Sequence, residues 1–362
     1  MATSAQQATP RRPALPATTV KELYDSGALD SAVPPIYRLR EPHTTGGNGP
    51  VEDEIPIIDF SLLSGGTGDQ RAKAIQALGK ACEDWGFFAV VNHGVPSGTV
   101  EAMVDATRGF FALPEAEKRE YAGKHVLDPI RCGTSFNPAV EDVRCWRDYF
   151  KLIVHPVFSS PAKPPGFRKA LSDYARCVRE MSLVLLRGID ESLGFEEHCV
   201  ETALDLDSGM QLVAGNLYPP CPQPELAMGL PPHSDHGLLT VLLQTGADGL
   251  QVKQGGKWVH VRPPPGSFLV NTGDHMEIYS NGRYRSVIHR ALLNNHATRM
   301  SIAVVQGPSL ETYVLPALQL VSIDGSRMAY RGMKYGDYVE YQQKNQLKGK
   351  SVLDLLRVPM EQ

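Results

Sequence analysis

Apolar positions in the first half of the chain switch between strand-like runs and helical spacing. Ile55-Pro56-Ile57-Ile58-Asp59-Phe60 reads as a short strand, Gln70 to Glu83 carries apolar residues at helical spacing, and Ala89 to His93 reads as a second strand. Helices are predicted over Thr99 to Phe111, Pro114 to Tyr121 and Arg168 to Leu193, the last stopping at Gly194. A short helix is also predicted over Val20 to Gly27, inside a lead-in (1–54) rich in Pro, Gly, Thr and Ala that is expected to be mobile.

The second half reads differently. Short apolar runs recur between Gly, Pro and Asn, and strands are predicted over Leu238 to Gln244, Gly249 to Lys253, Lys257 to Val261, Ser267 to Asn271, Met276 to Ser280, Arg283 to Leu292 and Arg299 to Gln306. Asn281-Gly282 is a strong two-residue hairpin signal and Gln254-Gly255-Gly256 a weaker one, so an antiparallel sandwich or barrel is expected. A helix over Tyr335 to Leu347 would then pack across one end. The organisation predicted is a flexible segment (1–54), a mixed helical and strand region (55–205), a β-rich catalytic core (206–330) and a helical C-terminal segment (331–362).

Composition narrows the partners. With 36 Lys+Arg against 40 Asp+Glu the formal charge is -4, too weak a field to imply nucleic acid or an anionic membrane, so a small-molecule partner is the expectation. No apolar stretch approaches the roughly 18 residues a membrane span needs, and no secretory signal is evident. The first 21 residues carry Ala, Thr, Ser and two arginines without an acid, yet lack a clear amphipathic helix, so they read as a tail rather than a transit segment. The six cysteines include no C-x-x-C pair and read as reduced thiols. A cytoplasmic monomer is expected, with the nucleus also open to it.

The candidate chemistry begins at His233-Ser234-Asp235. In extended backbone, residues i and i+2 point to one side, about 6.6 Å apart at ~3.3 Å per residue, so an imidazole and a carboxylate can share a metal. His289 can supply a third ligand, because it shares a strand face with Val287 and Ala291 and a buried imidazole needs a polar partner. Two histidines and a carboxylate leave three positions open on iron(II), enough for a bidentate co-substrate and dioxygen, although zinc can use the same side chains. Arg299 and Ser301, again at i and i+2, present a guanidinium and a hydroxyl side by side as a carboxylate clamp, with Tyr218 as a third donor. Singly, each has a bland reading: Asp235 caps a turn, His289 is a bonded core histidine, Arg299 is solvated. Together, on strands of one region, they point to a metal site beside a dicarboxylate site.

At this point the sequence strongly resembles the plant 2-oxoglutarate- and iron(II)-dependent dioxygenases, of the flavanone 3-hydroxylase and anthocyanidin synthase type. The match runs from about Ile55 to the C-terminus through Trp85-Gly86-Phe87-Phe88, Asn92-His93-Gly94-Val95, Asn216-Leu217-Tyr218-Pro219-Pro220-Cys221, His233-Ser234-Asp235, Asn271-Thr272-Gly273-Asp274, Ser286-Val287-Ile288-His289-Arg290 and Arg299-Met300-Ser301. The resemblance implies a double-stranded β-helix, a jelly-roll-like pair of sheets buttressed by helices. It implies iron(II) on His233, Asp235 and His289, and 2-oxoglutarate on Arg299, Ser301 and Tyr218, oriented by Asn216. It further implies dioxygen as co-substrate, ascorbate as activator, and oxidation of a plant small molecule, by default hydroxylation, coupled to conversion of 2-oxoglutarate to succinate and carbon dioxide.

By position in the family, the substrate pocket is expected to draw on Phe136, Tyr149, Lys151, Val305 and Gly307, with Trp146-Arg147-Asp148-Tyr149 as an aromatic platform unless Trp146 is core. Trp85, Phe87 and Phe88 read as core, His93 as a local turn partner and Asp274 as a turn-fixing residue. Several flavonoid-oxidising relatives carry a Phe and an acidic residue at Val305 and Gly307, a departure that leaves phenolics, flavanones, hormones and alkaloids open as substrates. Related iron oxidases without 2-oxoglutarate, and inactive ligand-binding versions of the fold, are the alternatives.

Overall fold

The computed structural model describes residues 19–27, 32–43, 55–323 and 327–359. In chain order its elements are α1 (Val20–Asp25), β1 (Ile57–Asp59), α2 (Phe60–Gly65), α3 (Gly68–Asp84), β2 (Phe87–Val91), α4 (Ser97–Phe111), α5 (Glu115–Arg119), β3 (Ile130–Thr134), β4 (Asp148–His155), α6 (Phe167–Ser192) and α7 (Cys199–Ala203). There follow β5 (Gln211–Tyr218), β6 (Leu230–His233), β7 (Leu239–Gly246), β8 (Leu250–Gln254), β9 (Lys257–His260), β10 (Phe268–Thr272), α8 (Asp274–Tyr279), β11 (His289–Ala291) and β12 (Arg299–Gln306). The chain closes with β13 (Tyr313–Val314), α9 (Leu318–Ile323), β14 (Met333–Lys334), α10 (Tyr335–Lys344) and α11 (Ser351–Leu356).

An eight-stranded sheet runs β1-β2-β10-β7-β12-β5-β4-β3, and a four-stranded sheet β6-β11-β8-β9. One face of the large sheet carries the main core, where Phe150, Val213, Met300, Ile302 and Val304 meet α4 and α6 through Phe110, Phe167, Leu171 and Leu185. The other turns towards the small sheet, with Phe87, Ala89 and Leu269 packed on Leu250 and Val252. This is the paired-sheet, helix-flanked architecture of a double-stranded β-helix.

Strand phase sets what each face carries. Along β12, Met300, Ile302 and Val304 point into the core, so Arg299, Ser301, Ala303 and Val305 point into the space between the sheets. The β12–β5 register places Arg299 opposite Tyr218, Ser301 opposite Asn216, Ala303 opposite Ala214 and Val305 opposite Leu212. β4 extends the rows, with Tyr149 opposite Asn216 and Lys151 opposite Ala214. On the core side Gly215 is required for close approach: a Cβ there would come within 2.4 Å of the Phe150 ring.

Several predicted elements differ. Met276 to Ser280 is not a strand: Met276 to Tyr279 belong to α8 and Ser280 caps it, and Asn281-Gly282 follows that helix end instead of turning a hairpin, both residues having positive φ and the Gly282 amide donating to the Glu277 carbonyl at 2.8 Å. Of Arg283 to Leu292, only His289–Ala291 is strand. Phe60 leaves β1 to open α2, which Asp59 caps through the Ser61 amide. The lead-in also differs where it is described. Trp146 packs with Val20, Val33 and Tyr37, and the Val20 and Lys21 amides donate to the buried Asp148 carboxylate at 2.9 and 2.8 Å. The remainder of the expected mobile segment, including most of the tail-like first 21 residues, lies outside the described residues. All six cysteines are free thiols, and no described helix is long and apolar enough to cross a membrane.

Candidate active site

The two sheets flank a cavity of about 120 Å³. On its floor His233 and His289 are direct cross-strand partners on β6 and β11, with ring centroids 4.2 Å apart. β6 is an edge strand, which is why it tolerates Pro231 and Pro232 without losing ladder hydrogen bonds. Asp235 lies just past β6, in the loop to β7, rather than on the strand itself. That loop is pinned by α8: the Asp274 amide donates to the Asp235 carbonyl at 2.7 Å, and the His275 amide to the Gly237 carbonyl at 3.2 Å.

These constraints bring one ligand atom from each of His233, Asp235 and His289 within 4.8 Å of one another. Asp235 Oδ1 stands 3.8 Å from Nε2 of each histidine, too long for a hydrogen bond and suited to a shared ion. The far ring nitrogens are committed. His233 Nδ1 donates to the Pro231 carbonyl at 2.8 Å and His289 Nδ1 to the Val287 carbonyl at 3.1 Å, so both Nε2 lone pairs are free to ligate. Asn271 Nδ2 donates to Asp235 Oδ2 at 2.9 Å. Burial and the adjacent His289 hold His233 well below the usual imidazole range. Burial pulls Asp235 the other way, but both histidines and the Asn271 bond keep it ionised. Neutral imidazoles with an ionised carboxylate are the states in which these groups bind a metal.

Above the triad, Arg299 is 2% exposed. Its guanidinium lies 5.0 Å over the Tyr218 ring and donates from Nη2 to Gln244 Oε1 at 3.1 Å, while Nε and Nη1 are buried without partners. Two buried, unpartnered guanidinium donors beside a cavity suit a carboxylate. Asn216 Nδ2 donates to Ser301 Oγ at 3.3 Å and its Oδ1 accepts from Arg147 Nη1 at 3.1 Å, which fixes both side chains at the cavity wall. The residues present therefore fit both an iron(II) ion and a dicarboxylate.

This paired constellation also has sequence-wide counterparts. A family model of the 2OG-Fe(II) oxygenase superfamily matches residues 208–308, and one described as the non-haem dioxygenase in morphine synthesis N-terminal matches 55–170. A rice protein named 2-oxoglutarate-dependent dioxygenase 19 is 47% identical over 86% of this chain and 93% of its own length. The chain belongs to the 2-oxoglutarate and iron(II)-dependent dioxygenase family. Rice flavanone 3-dioxygenase 2 is 38% identical over 84% of this chain and 87% of that protein. A crystal structure described as JOX2 in complex with 2OG, Fe and JA superposes with a TM-score of 0.84 at 30% identity, covering 95% of this chain and 99% of that one. Like its relatives, this dioxygenase is an oxidoreductase using iron(II) and 2-oxoglutarate on a double-stranded β-helix.

Of the expected substrate-pocket residues, Phe136, Lys151 and Val305 line the dioxygenase's cavity and Tyr149 and Gly307 do not. Arg147 and Lys151 both lie over the Tyr149 ring, at 5.0 and 5.5 Å, placing it behind them. At Gly307 a Cβ would meet the Tyr335 hydroxyl at 2.1 Å, so α10 fills the space that a side chain there would need. Trp146 is core, its indole N–H donating to the Pro219 carbonyl at 3.0 Å. Phe87 and Phe88 are buried as expected, but Phe87 also lines the cavity, while Trp85 packs partly buried beside them. His93 bonds the Val95 amide and the Gly266 carbonyl. Asp274 opens α8 and accepts from Ser234 Oγ and Tyr338 OH, tying the triad loop to α10.

Sequence reasoning had Arg147 only as part of an aromatic platform, not as the cation that lines the cavity one position before β4, and it missed Gln342, Gln343 and Leu347 from the C-terminal segment. No local pattern marks that last group, because only the tertiary path of α10 brings it over the opening.

Proposed function

We propose that His233, Asp235 and His289 hold the iron, that Arg299, Ser301 and Tyr218 bind the distal carboxylate of 2-oxoglutarate with Asn216 beside them, and that the enzyme hydroxylates a plant small molecule in the cavity. The buried guanidinium of Arg299, with two donors unpartnered, carries this reading. Iron(II), when bound, supplies dioxygen activation coupled to oxidative decarboxylation of 2-oxoglutarate to succinate and carbon dioxide.

The chain's own residues do the positioning. Pro231 and Val287 carbonyls fix the imidazole orientations, and Asn271 fixes the carboxylate. Arg299 and Ser301 anchor the co-substrate from strand β12, three and two rows away from Val305, which leaves Ala303 and Ala214 as low ground between anchor and substrate space. Phe87, Leu212, Leu242 and Val305 supply apolar walls that exclude water from the reacting region. Since relatives include a flavanone dioxygenase and a structure bound to JA, the substrate class spans phenolic and hormone-like molecules.

The test is incubation with iron(II), ascorbate, labelled 2-oxoglutarate and a panel of plant phenolics and hormones, scoring succinate and products that gain one oxygen. Stoichiometric succinate and hydroxylated product are expected. Turnover with 2-oxoglutarate withheld would replace this reading with a 2-oxoglutarate-free oxidase.

A further inference from the structure

The cavity carries more positive charge than iron and 2-oxoglutarate use. Arg147 and Lys151 both line it, and both are buried, at 3% and 8% exposed. Lys151 projects beside Ala214 and Ala303, whose small side chains keep the space in front of it open. Arg147 donates from Nη1 to Asn216 Oδ1 at 3.1 Å and from Nη2 to the Ser135 carbonyl at 2.8 Å, while its Nε is buried without a partner. Lys151 donates to Gln343 Oε1 at 2.6 Å.

All of these acceptors are neutral, and neither cation joins an ion pair found among the described residues. Among the described residues the one carboxylate lining the cavity, Asp235, belongs to the triad. An iron dication and a 2-oxoglutarate dianion cancel one another, so cofactor loading leaves Arg147 and Lys151 uncompensated. Burying a cation without a counter-ion is costly, and an anionic ligand relieves that cost.

We infer that the substrate is a small organic acid whose carboxylate is bound by Arg147 and Lys151, which thereby select which C–H faces the metal. The inference rests on the metal and 2-oxoglutarate assignments proposed above. Phe136, whose ring lies 4.9 Å from the Lys151 ammonium, and the walls formed by Leu212 and Val305 suit the apolar body of such an acid. Burial, reinforced by Arg131 and Arg147, holds Lys151 well below the ordinary lysine range, a penalty that a bound carboxylate would offset. A neutral ligand would leave both cations as they are.

Calorimetry on the anaerobic protein loaded with Mn(II), first with 2-oxoglutarate and then with acid probes, separates the two levels of the argument. The probes are benzoic, cinnamic, indole-3-acetic and lauric acids, each paired with its methyl ester. At least one acid is expected to bind about ten-fold or more tightly than its ester, the scale of one charge-assisted hydrogen bond. Lys151→Met is expected to remove most of that preference, while the 2-oxoglutarate titration still gives binding heat and melting shows a folded protein; Arg147→Gln is expected to lower the preference as well. Failure of 2-oxoglutarate itself to bind would overturn the underlying assignment. Binding of 2-oxoglutarate with every acid silent, with esters binding as well as acids, or with the preference intact in Lys151→Met, would overturn this inference alone.

Discussion

Asn271 donates its side-chain amide to Asp235 Oδ2 at 2.9 Å, leaving Oδ1, the oxygen 3.8 Å from Nε2 of both His233 and His289, for a metal. The contact joins β10 of the large sheet to the loop after β6 of the small one, so the orientation of a proposed ligand is set by a residue that never touches the ion. Asn271→Ala should weaken iron(II) or Mn(II) binding by about 10- to 100-fold, the usual effect of losing an outer partner of a ligand. Metal titration with circular dichroism as a folding control checks this.

Arg299→Ala should raise the KM for 2-oxoglutarate by about 10- to 150-fold, corresponding to a charge-assisted interaction of roughly 1.5–3 kcal/mol. Metal affinity should stay within about two-fold, since Arg299 makes no contact with the triad. Parallel 2-oxoglutarate kinetics and metal titration on one preparation measure both.

Gly307→Ala should cost about 1–3 kcal/mol of stability, because the new Cβ falls 2.1 Å from the Tyr335 hydroxyl and 2.4 Å from its Cζ. Combining it with Tyr335→Ala should lose less than the sum of the two single changes, as expected for residues competing for one space. Urea denaturation of the four proteins closes the cycle.

Asp190 supplies a pH dependence remote from the metal site. Its burial outweighs the bonds from the Val200 amide and pushes the carboxyl from 3.8 up to about 7. Between these values the folded protein holds a proton that the unfolded chain has released, so this group's contribution to stability falls as pH rises from about 4 to about 7 and levels off above. Asp190→Asn keeps an acceptor for the amide and should remove that part of the slope, so its melting temperature should gain on the parent's as pH rises from about 5 to about 8.

The sequence was most legible where one face was wet or where turns were explicit. α3, α4 and α6 appear within a few residues of their predicted bounds, as do β7 to β10 and β12. β5, whose eight residues are all buried, offers no alternation to read, and unlike the equally buried β10, which follows a Pro-Gly turn, its apolar run is broken by Gly215 and Asn216. β4 was hidden for a related reason: buried Asp148 and Lys151 interrupt its apolar run. α8 was mistaken for a strand because His275, Met276 and Ile278 are buried along with its acidic residues, erasing an amphipathic stripe. The candidate site residues could be named from i, i+2 spacing on strands, whereas Asn271, Arg147 and Gln343 depend on register and on the path of α10, which no local pattern encodes.

The most direct test of the central claim is equilibrium binding of iron(II) under anaerobic conditions to the parent protein and to His289→Ala. The account predicts one tightly bound iron per parent chain and a loss in the variant well beyond the roughly 100-fold ceiling for an outer-sphere partner, with the fold retained by circular dichroism. Iron binding by a folded His289→Ala protein with parental affinity would contradict it.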